Sequence, residues 1–176
     1  MIVIVDYDTG NTRNVKKALD YLGVNNQLSA DPAIIMAASG LILPGVGAFK
    51  EAMKALNQRQ LVPVIQAFAA TGKPLLGICL GMQLLFDRSF EFGETAGLGL
   101  IPGEVVAIPT DSGLAVPHMG WNTNSVTQPA LFAAVFADQA TYLVHSSYST
   151  TLPHFTPSTT HYGQPLTNIV RRINVP

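Results

Sequence analysis

Lys73–Phe86, KPLLGICLGMQLLF, holds the only cysteine in the chain, Cys79, with Gly77 and Gly81 two residues away on either side. The apolar run "PLLGIC" predicts a buried strand, and "LGMQLLFDRS" predicts the helix that follows it. A strand that enters a helix through G-x-C-x-G has the form of a nucleophile elbow, with its side chain projecting above the C-terminal end of the strand. Glycines at both offsets let neighbouring elements approach so tight a turn. The N–H groups and positive end of a following helix favour a thiolate there. A lone cysteine can instead be an inert small hydrophobe that fills a gap. The paired glycines, in a strand–turn–helix context, favour the nucleophile.

Upstream of the elbow, strands and helices alternate. "IVIVDY" is short, β-branched and apolar on both faces, as in a buried parallel strand. Asn11 heads "NTRNVKKALDYLG", where Val15, Ala18, Leu19 and Leu22 fall at helical spacing and Gly23 supplies a stop. "NNQLS" predicts a weaker strand, and Asp31 and Pro32 an N-cap and first turn for "PAIIMAA". "GLILPG" predicts a third buried strand, then "KEAMKALN" and "LVPVIQAFAATG" two helices. Such alternation implies an α/β fold, a mostly parallel sheet with right-handed crossovers and flanking helices.

After Phe90 the texture changes. "GLGLIPGEVVAIP", "VPHMGWNTNSV", "ATYLVHSSYST" and "PLTNIVRRI" predict strands and turns with few helical signals, hence a more antiparallel, loop-rich second half. No repeat, low-complexity segment or linker divides the chain, so a single domain over residues 1–176 is expected.

Three further stretches carry chemistry. In "LILPGVGAF", the loop Gly45-Val46-Gly47 after a buried strand can turn backbone N–H groups toward a developing negative charge, which builds an oxyanion hole without side chains. "VPHMGWN" surrounds the only tryptophan, Trp121, with His118, Gly120 and Asn122. A lone tryptophan is commonly core, but this polar company suits a contact surface equally well. In "TYLVHSSYST", His145 fits a satisfied core residue, a substrate contact or a base, and spacing does not select among them. No Cys/His pattern has metal-ligand spacing, so no metal is expected.

Composition narrows the class. Charged residues make up 12% of the chain, about half the usual share. A surface so lightly charged suggests an area covered by a partner. Net charge is −1 and the ten Lys and Arg are scattered, which argues against a nucleic-acid footprint. A single cysteine points to a reducing compartment. There is no basic leader with a cleavage site, and no apolar run near the ~18 residues of a membrane span. A soluble, cytoplasmic domain is expected.

Together these stretches resemble class I (triad-type) glutamine amidotransferases, and among them the glutaminase subunits of imidazole glycerol phosphate synthase. The resemblance spans essentially the whole chain. It is carried by "DYDTGNTRNVKKAL", "LPGVGAF", "GICLGMQLLF", "GLGLIPGEV", "PHMGWN" and "YLVHSSY". "GVGAF" together with "PHMGWN" is the specific pairing, since elbows of this kind recur across amidotransferases. Cysteine-dependent α/β-hydrolases, which share the elbow, do not account for "PHMGWN". The resemblance implies that Cys79 attacks the side-chain amide of glutamine to form a thioester, with no cofactor. Leu80 and the Gly45–Val46–Gly47 loop would form the oxyanion hole, and Gln83, His145 and Ser146 would contact glutamine. His118, Met119, Trp121 and Asn122 would face a heterodimer partner, the cyclase (β/α)₈ barrel, which receives the ammonia.

One departure accompanies the matches. Members of that family continue past "NIVRR" into a segment of the form G-x-Q-F-H-P-E-K-S and a final helix, and its His and Glu complete the triad. These 176 residues end at "NIVRRINVP". The expectation is a glutaminase missing its base, with an uncovered apolar face, or else a subunit that only binds the cyclase. A smaller departure is Ser147, where relatives often carry an aromatic residue.

Overall fold

The structure is a computed structural model that describes residues 1–8, 10–110, 113–128 and 135–172. The first half forms as the alternation predicts. β1 (Ile2–Val5), β2 (Asn26–Ser29), β3 (Gly40–Gly45) and β4 (Leu75–Cys79) make a four-stranded all-parallel sheet in the order β2-β1-β3-β4. Four helices provide the crossovers: α1 (Thr12–Tyr21), α2 (Pro32–Ala37), α3 (Phe49–Gln58) and α4 (Leu61–Ala70). Asp31 caps α2, its carboxylate accepting from the Ala33 and Ile34 N–H groups, with Pro32 in the first turn.

The core lies between this sheet and its helices, around Val3, Val5, Leu41 and Leu43 packed with Phe49, Leu56, Ile65 and Phe68. α1 joins it least. Val15 and Leu19 are half-buried, Ala18 and Leu22 are exposed, and no residue of the helix is fully buried. α1 lies along β1 and β2, and β2 is the edge of the sheet, so its apolar stripe overhangs.

The helix expected after the elbow is cut short. α5 spans only Leu80–Gln83, and Phe86–Ser89 is a strand, β5. The backbone bonds explain why. The carbonyls of Leu84, Leu85 and Phe86, which a continuing helix would satisfy from four residues ahead, accept instead from Leu98, from Leu100 and Ile101, and from Gly99. A Cβ at Gly97 would sit 2.1 Å from the Phe86 carbonyl oxygen, so this returning loop closes down on the chain where the helix would run.

The second half is strand-rich, as expected: β6 (Thr95–Ala96), β7 (Ile101–Ala107), β8 (His118–Thr123), β9 (Ser125–Val126), β10 (Ala140–His145), β11 (Ser147–Thr150), β12 (Ser158–Tyr162) and β13 (Gln164–Ile169). A seven-stranded sheet runs β6-β5-β7-β11-β13-β12-β9, antiparallel except for the β5–β7 pair. β8 and β10 form a separate antiparallel ribbon. Among the described residues, no helix is long and apolar enough to cross a membrane.

β4 is the outer strand of the parallel sheet, and Leu76 and Ile78 on it are 55% and 37% exposed. These exposed apolar side chains belong to the strand that ends in Cys79.

Candidate active site

The end of β4 turns sharply. Cys79 has φ 56° and ψ −121°, a conformation that L side chains rarely adopt, and its thiol is exposed. The two flanking glycines are required by contact. A Cβ on Gly77 would lie 2.6 Å from the Gly81 carbonyl oxygen, and one on Gly81 would lie 1.9 Å from the Leu43 carbonyl oxygen. The elbow is thus pressed backbone to backbone against β3.

The oxyanion loop meets the elbow at the same point. Gly45 and Cys79 are register partners across β3 and β4, and a Cβ on Gly45 would fall 2.6 Å from the Gly81 nitrogen. Gly47 is glycine for a different reason. Open space surrounds it, but its φ of +89° is in the left-handed region. Val46 is exposed, while Leu80, the first residue of α5, is buried. Because α5 is a single turn, Cys79 faces the N–H groups at a helix start rather than a long aligned dipole.

Two residues that sequence reasoning missed hold this loop. The Tyr7 hydroxyl, fully buried, donates to the Pro44 carbonyl at 2.5 Å. The Glu91 carboxylate accepts from the Phe49 N–H at 2.8 Å, which anchors the start of α3 just past the loop. Only the position of Tyr7 in the "DYDTG" opening hinted at such a part.

Across from the elbow, Gln83 donates to the Ser147 carbonyl at 3.2 Å, tying α5 to β11. The same carbonyl lies 3.0 Å from His145 Nδ1. His145 Nε2 is 3.0 Å from His118 Nδ1, and His118 Nε2 is 2.8 Å from Asn122 Oδ1. Burial pushes the His145 imidazolium down, the Ser147 carbonyl bond opposes that shift, and the charge of His118 adds to it. Cys79, Gln83, His145 and Ser147 all line one cleft of about 1580 Å³, bounded by β4 on one side and by β10, β11 and β13 on the other. Ser146 stands apart: it is exposed, and its carbonyl accepts from the Ile108 N–H at 2.9 Å. Among the described residues, none hydrogen-bonds the Cys79 thiol.

The "PHMGWN" residues divide by strand alternation. Met119 and Trp121 are 61% and 71% exposed, so the tryptophan is not core. Val144 and Tyr142 stand opposite them on β10, and Trp121 meets Tyr142 edge-on at 5.4 Å. His118 points inward, 3% exposed and stacked on Tyr162 at 3.8 Å, whereas Met119 faces outward. Asn122 is on that inward side too, and its Nδ2 donates to the His161 carbonyl at 2.9 Å.

Comparison with known proteins agrees with this geometry. The family model described as glutamine amidotransferase class-I matches residues 3–172. The imidazole glycerol phosphate synthase subunit HisH of Lacticaseibacillus casei (strain BL23) is 94% identical over 175 residues, covering 99% of this chain and 84% of that protein. The HisH subunit of Lactiplantibacillus plantarum is 55% identical over 176 residues, again with 84% of its length covered. A solved structure titled as a glutamine amidotransferase superposes with a TM-score of 0.68 at 17% identity, covering 94% of this chain and 82% of that one, which supports the fold. With its elbow cysteine wedged against a glycine loop, and with 94% and 55% identity to those two subunits, the chain belongs to the class I glutamine amidotransferase family, in its HisH branch.

Proposed function

We propose that Cys79 is the nucleophile of a glutaminase that supplies ammonia to a cyclase partner for imidazole glycerol phosphate synthesis, a step of histidine biosynthesis. The observation that carries this is the left-handed Cys79 backbone beside Gly45, its register partner at the end of β3. The thiolate attacks the side-chain carbonyl carbon of glutamine, and a C–S bond forms as the carbonyl oxygen becomes an oxyanion. Backbone N–H groups of Leu80 and of the Gly45–Val46–Gly47 loop would donate to that charge as it develops. Collapse of the intermediate breaks the C–N bond, and the nitrogen leaves as ammonia after taking up, directly or through water, the proton that the thiol gave up. Water then attacks the thioester, releasing glutamate and restoring the thiol.

Gln83 and His145 border the cleft that would hold glutamine, and Ser146, between His145 and Ser147 in the chain, is the third residue the family resemblance assigns to glutamine. Met119 and Trp121 form the exposed apolar surface that would meet the (β/α)₈-barrel cyclase in a heterodimer, and Asn122 would sit at its edge. Aromatic residues of this exposure are suited to anchoring an interface. The 176 residues are read as one amidotransferase domain, and the single cysteine fits a cytoplasmic, reducing setting.

A second reading rests on a specific observation. Among the described residues, none hydrogen-bonds the Cys79 thiol. General acid–base help is worth about 10²–10⁴-fold, so a subunit whose Cys79 finds no base in the working complex would act chiefly as a binding partner of the cyclase. Ammonia release from glutamine, measured with the barrel subunit and a synthase ligand present, separates the readings. Turnover lost at least about 10³-fold on Cys79→Ala is expected. Complex formation with no ammonia release, or release that survives Cys79→Ala, would sink the glutaminase reading for this polypeptide.

A further inference from the structure

The hydrogen bonds around His118 and His145 require a particular number of protons. The rings meet through His118 Nδ1 and His145 Nε2, 3.0 Å apart. Each outer nitrogen faces an oxygen. The Ser147 carbonyl, 3.0 Å from His145 Nδ1, can only accept, so that nitrogen carries a proton. Asn122 donates its Nδ2 to the His161 carbonyl at 2.9 Å, which leaves Oδ1 turned toward His118 Nε2 at 2.8 Å. That nitrogen carries a proton as well.

A neutral imidazole has one N–H. If both rings were neutral, their inner nitrogens would oppose lone pair to lone pair at hydrogen-bond distance. If both were cationic, two N–H groups and two charges would be forced together, with ring centroids 5.2 Å apart. Only a single proton between the inner nitrogens satisfies every contact.

We propose that His118 and His145 share one proton and form a singly charged imidazole–imidazolium pair that latches β8 to β12 through Asn122. Tyr162 supports the charge, since its ring stacks on His118 at 3.8 Å and presents a π face to a cation. Two charges on rings 5.2 Å apart would repel, which opposes a second proton.

The other groups facing the pair do not replace that proton. From β12, His161 offers its backbone carbonyl to Asn122, and the Tyr162 hydroxyl donates away to the Ala115 carbonyl at 2.7 Å. From α5, Gln83 shares the Ser147 carbonyl, and Cys79 lines the same cleft as His145. On β7, Glu104 is paired with Arg88 and registers with Thr150, three residues along β11 from Ser147. No carboxylate among the described residues bonds to either ring.

Loss of the proton has one local relief. His118 moves its N–H to Nδ1 to donate to His145, so Nε2 becomes an acceptor. Asn122 must then turn its amide to present Nδ2 to the ring, and its oxygen faces the His161 carbonyl. The Asn122–His161 bond between β8 and β12 is lost on the strand that carries the exposed Met119 and Trp121. A protonation event inside the fold thereby reaches the surface strand, whatever the role of Cys79.

Long-range ¹H–¹⁵N spectra of the ¹⁵N-histidine-labelled protein count these protons. His154→Gln and His161→Gln, both at exposed positions, assign the remaining two rings. At pH 7.0 we expect three protons on the four nitrogens of the pair, with His145 Nδ1 and His118 Nε2 as fixed N–H groups. Two or four protons at that pH would overturn the proposal. Asn122→Leu removes the acceptor that fixes the His118 tautomer, and the count should fall from three to two. A count unchanged in that variant would equally overturn the latch.

Discussion

β3 and β4 lie side by side in one parallel sheet, and both are apolar, yet water treats them in opposite ways. Every residue of β3 is buried, while β4 leaves Leu76 and Ile78 exposed and ends in an exposed cysteine. The difference is not in the side chains. β3 has β1 and β4 as neighbours and packs Leu41 and Leu43 into the core, whereas β4 has a neighbour on one side and the cleft on the other. Burial is thus set by position in the sheet, and the candidate nucleophile is carried by the strand with the least cover. That fits the general placement of function on the less stable parts of a fold.

The two strands are joined most tightly where the elbow touches β3, and Gly81→Ala attacks that joint. Its Cβ would overlap the Leu43 carbonyl oxygen, which is backbone and cannot move aside as a side chain could. Overpacking ordinarily costs about 1–3 kcal/mol, and this contact is closer than a side-chain adjustment can relieve, so a loss of at least about 3 kcal/mol is expected. Thermal and urea unfolding of the variant would measure it. A variant as stable as the parent would mean that β4 and its elbow are not seated on β3 as described.

The asymmetry itself is tested by making the same truncation in each strand. Leu43→Ala on β3, at 0% exposure, should cost about 2–5 kcal/mol through lost burial and a residual cavity. Leu76→Ala on β4, at 55% exposure, should cost less than about 1 kcal/mol. Equal losses at the two sites, measured by denaturant midpoints, would show that β4 is covered in solution.

These contrasts also show what could be read from residues alone. The first half was legible because its strands are continuous apolar runs and its breaks are glycines and prolines, as at Asp31-Pro32 and around Cys79. The second half hides its interior behind polar residues. Ser149, Ser158 and Thr160 are buried, so β12, "STTHY", offers no hydrophobic alternation and was not anticipated. β5 was concealed differently, since "LLFD" continues the helical pattern until distant carbonyl partners in residues 98–101 claim it. At the candidate site, Cys79 and the Gly45–Gly47 loop were legible because strain and close approach demand glycine at fixed offsets. Tyr7, Glu91 and the inward turn of His118 were not. Each depends on a partner at least 27 residues away, and local spacing carries no trace of it.

The smallest effect separates the two strand ends. Gly45 closes β3 and Cys79 closes β4, side by side in register, but only Cys79 is a non-glycine residue at positive φ. Holding it there costs on the order of 1–3 kcal/mol. Cys79→Gly removes that strain but gives back about 0.5–1 kcal/mol, because glycine loses more freedom on folding. The thiol is exposed, so little packing is lost. The variant should therefore gain roughly 1 kcal/mol in stability, read as a higher denaturation midpoint, while losing the thiol that the proposed chemistry requires. A loss of stability would instead mean that the Cys79 side chain makes contacts that outweigh its strain, and that the elbow is held for packing rather than for reaction.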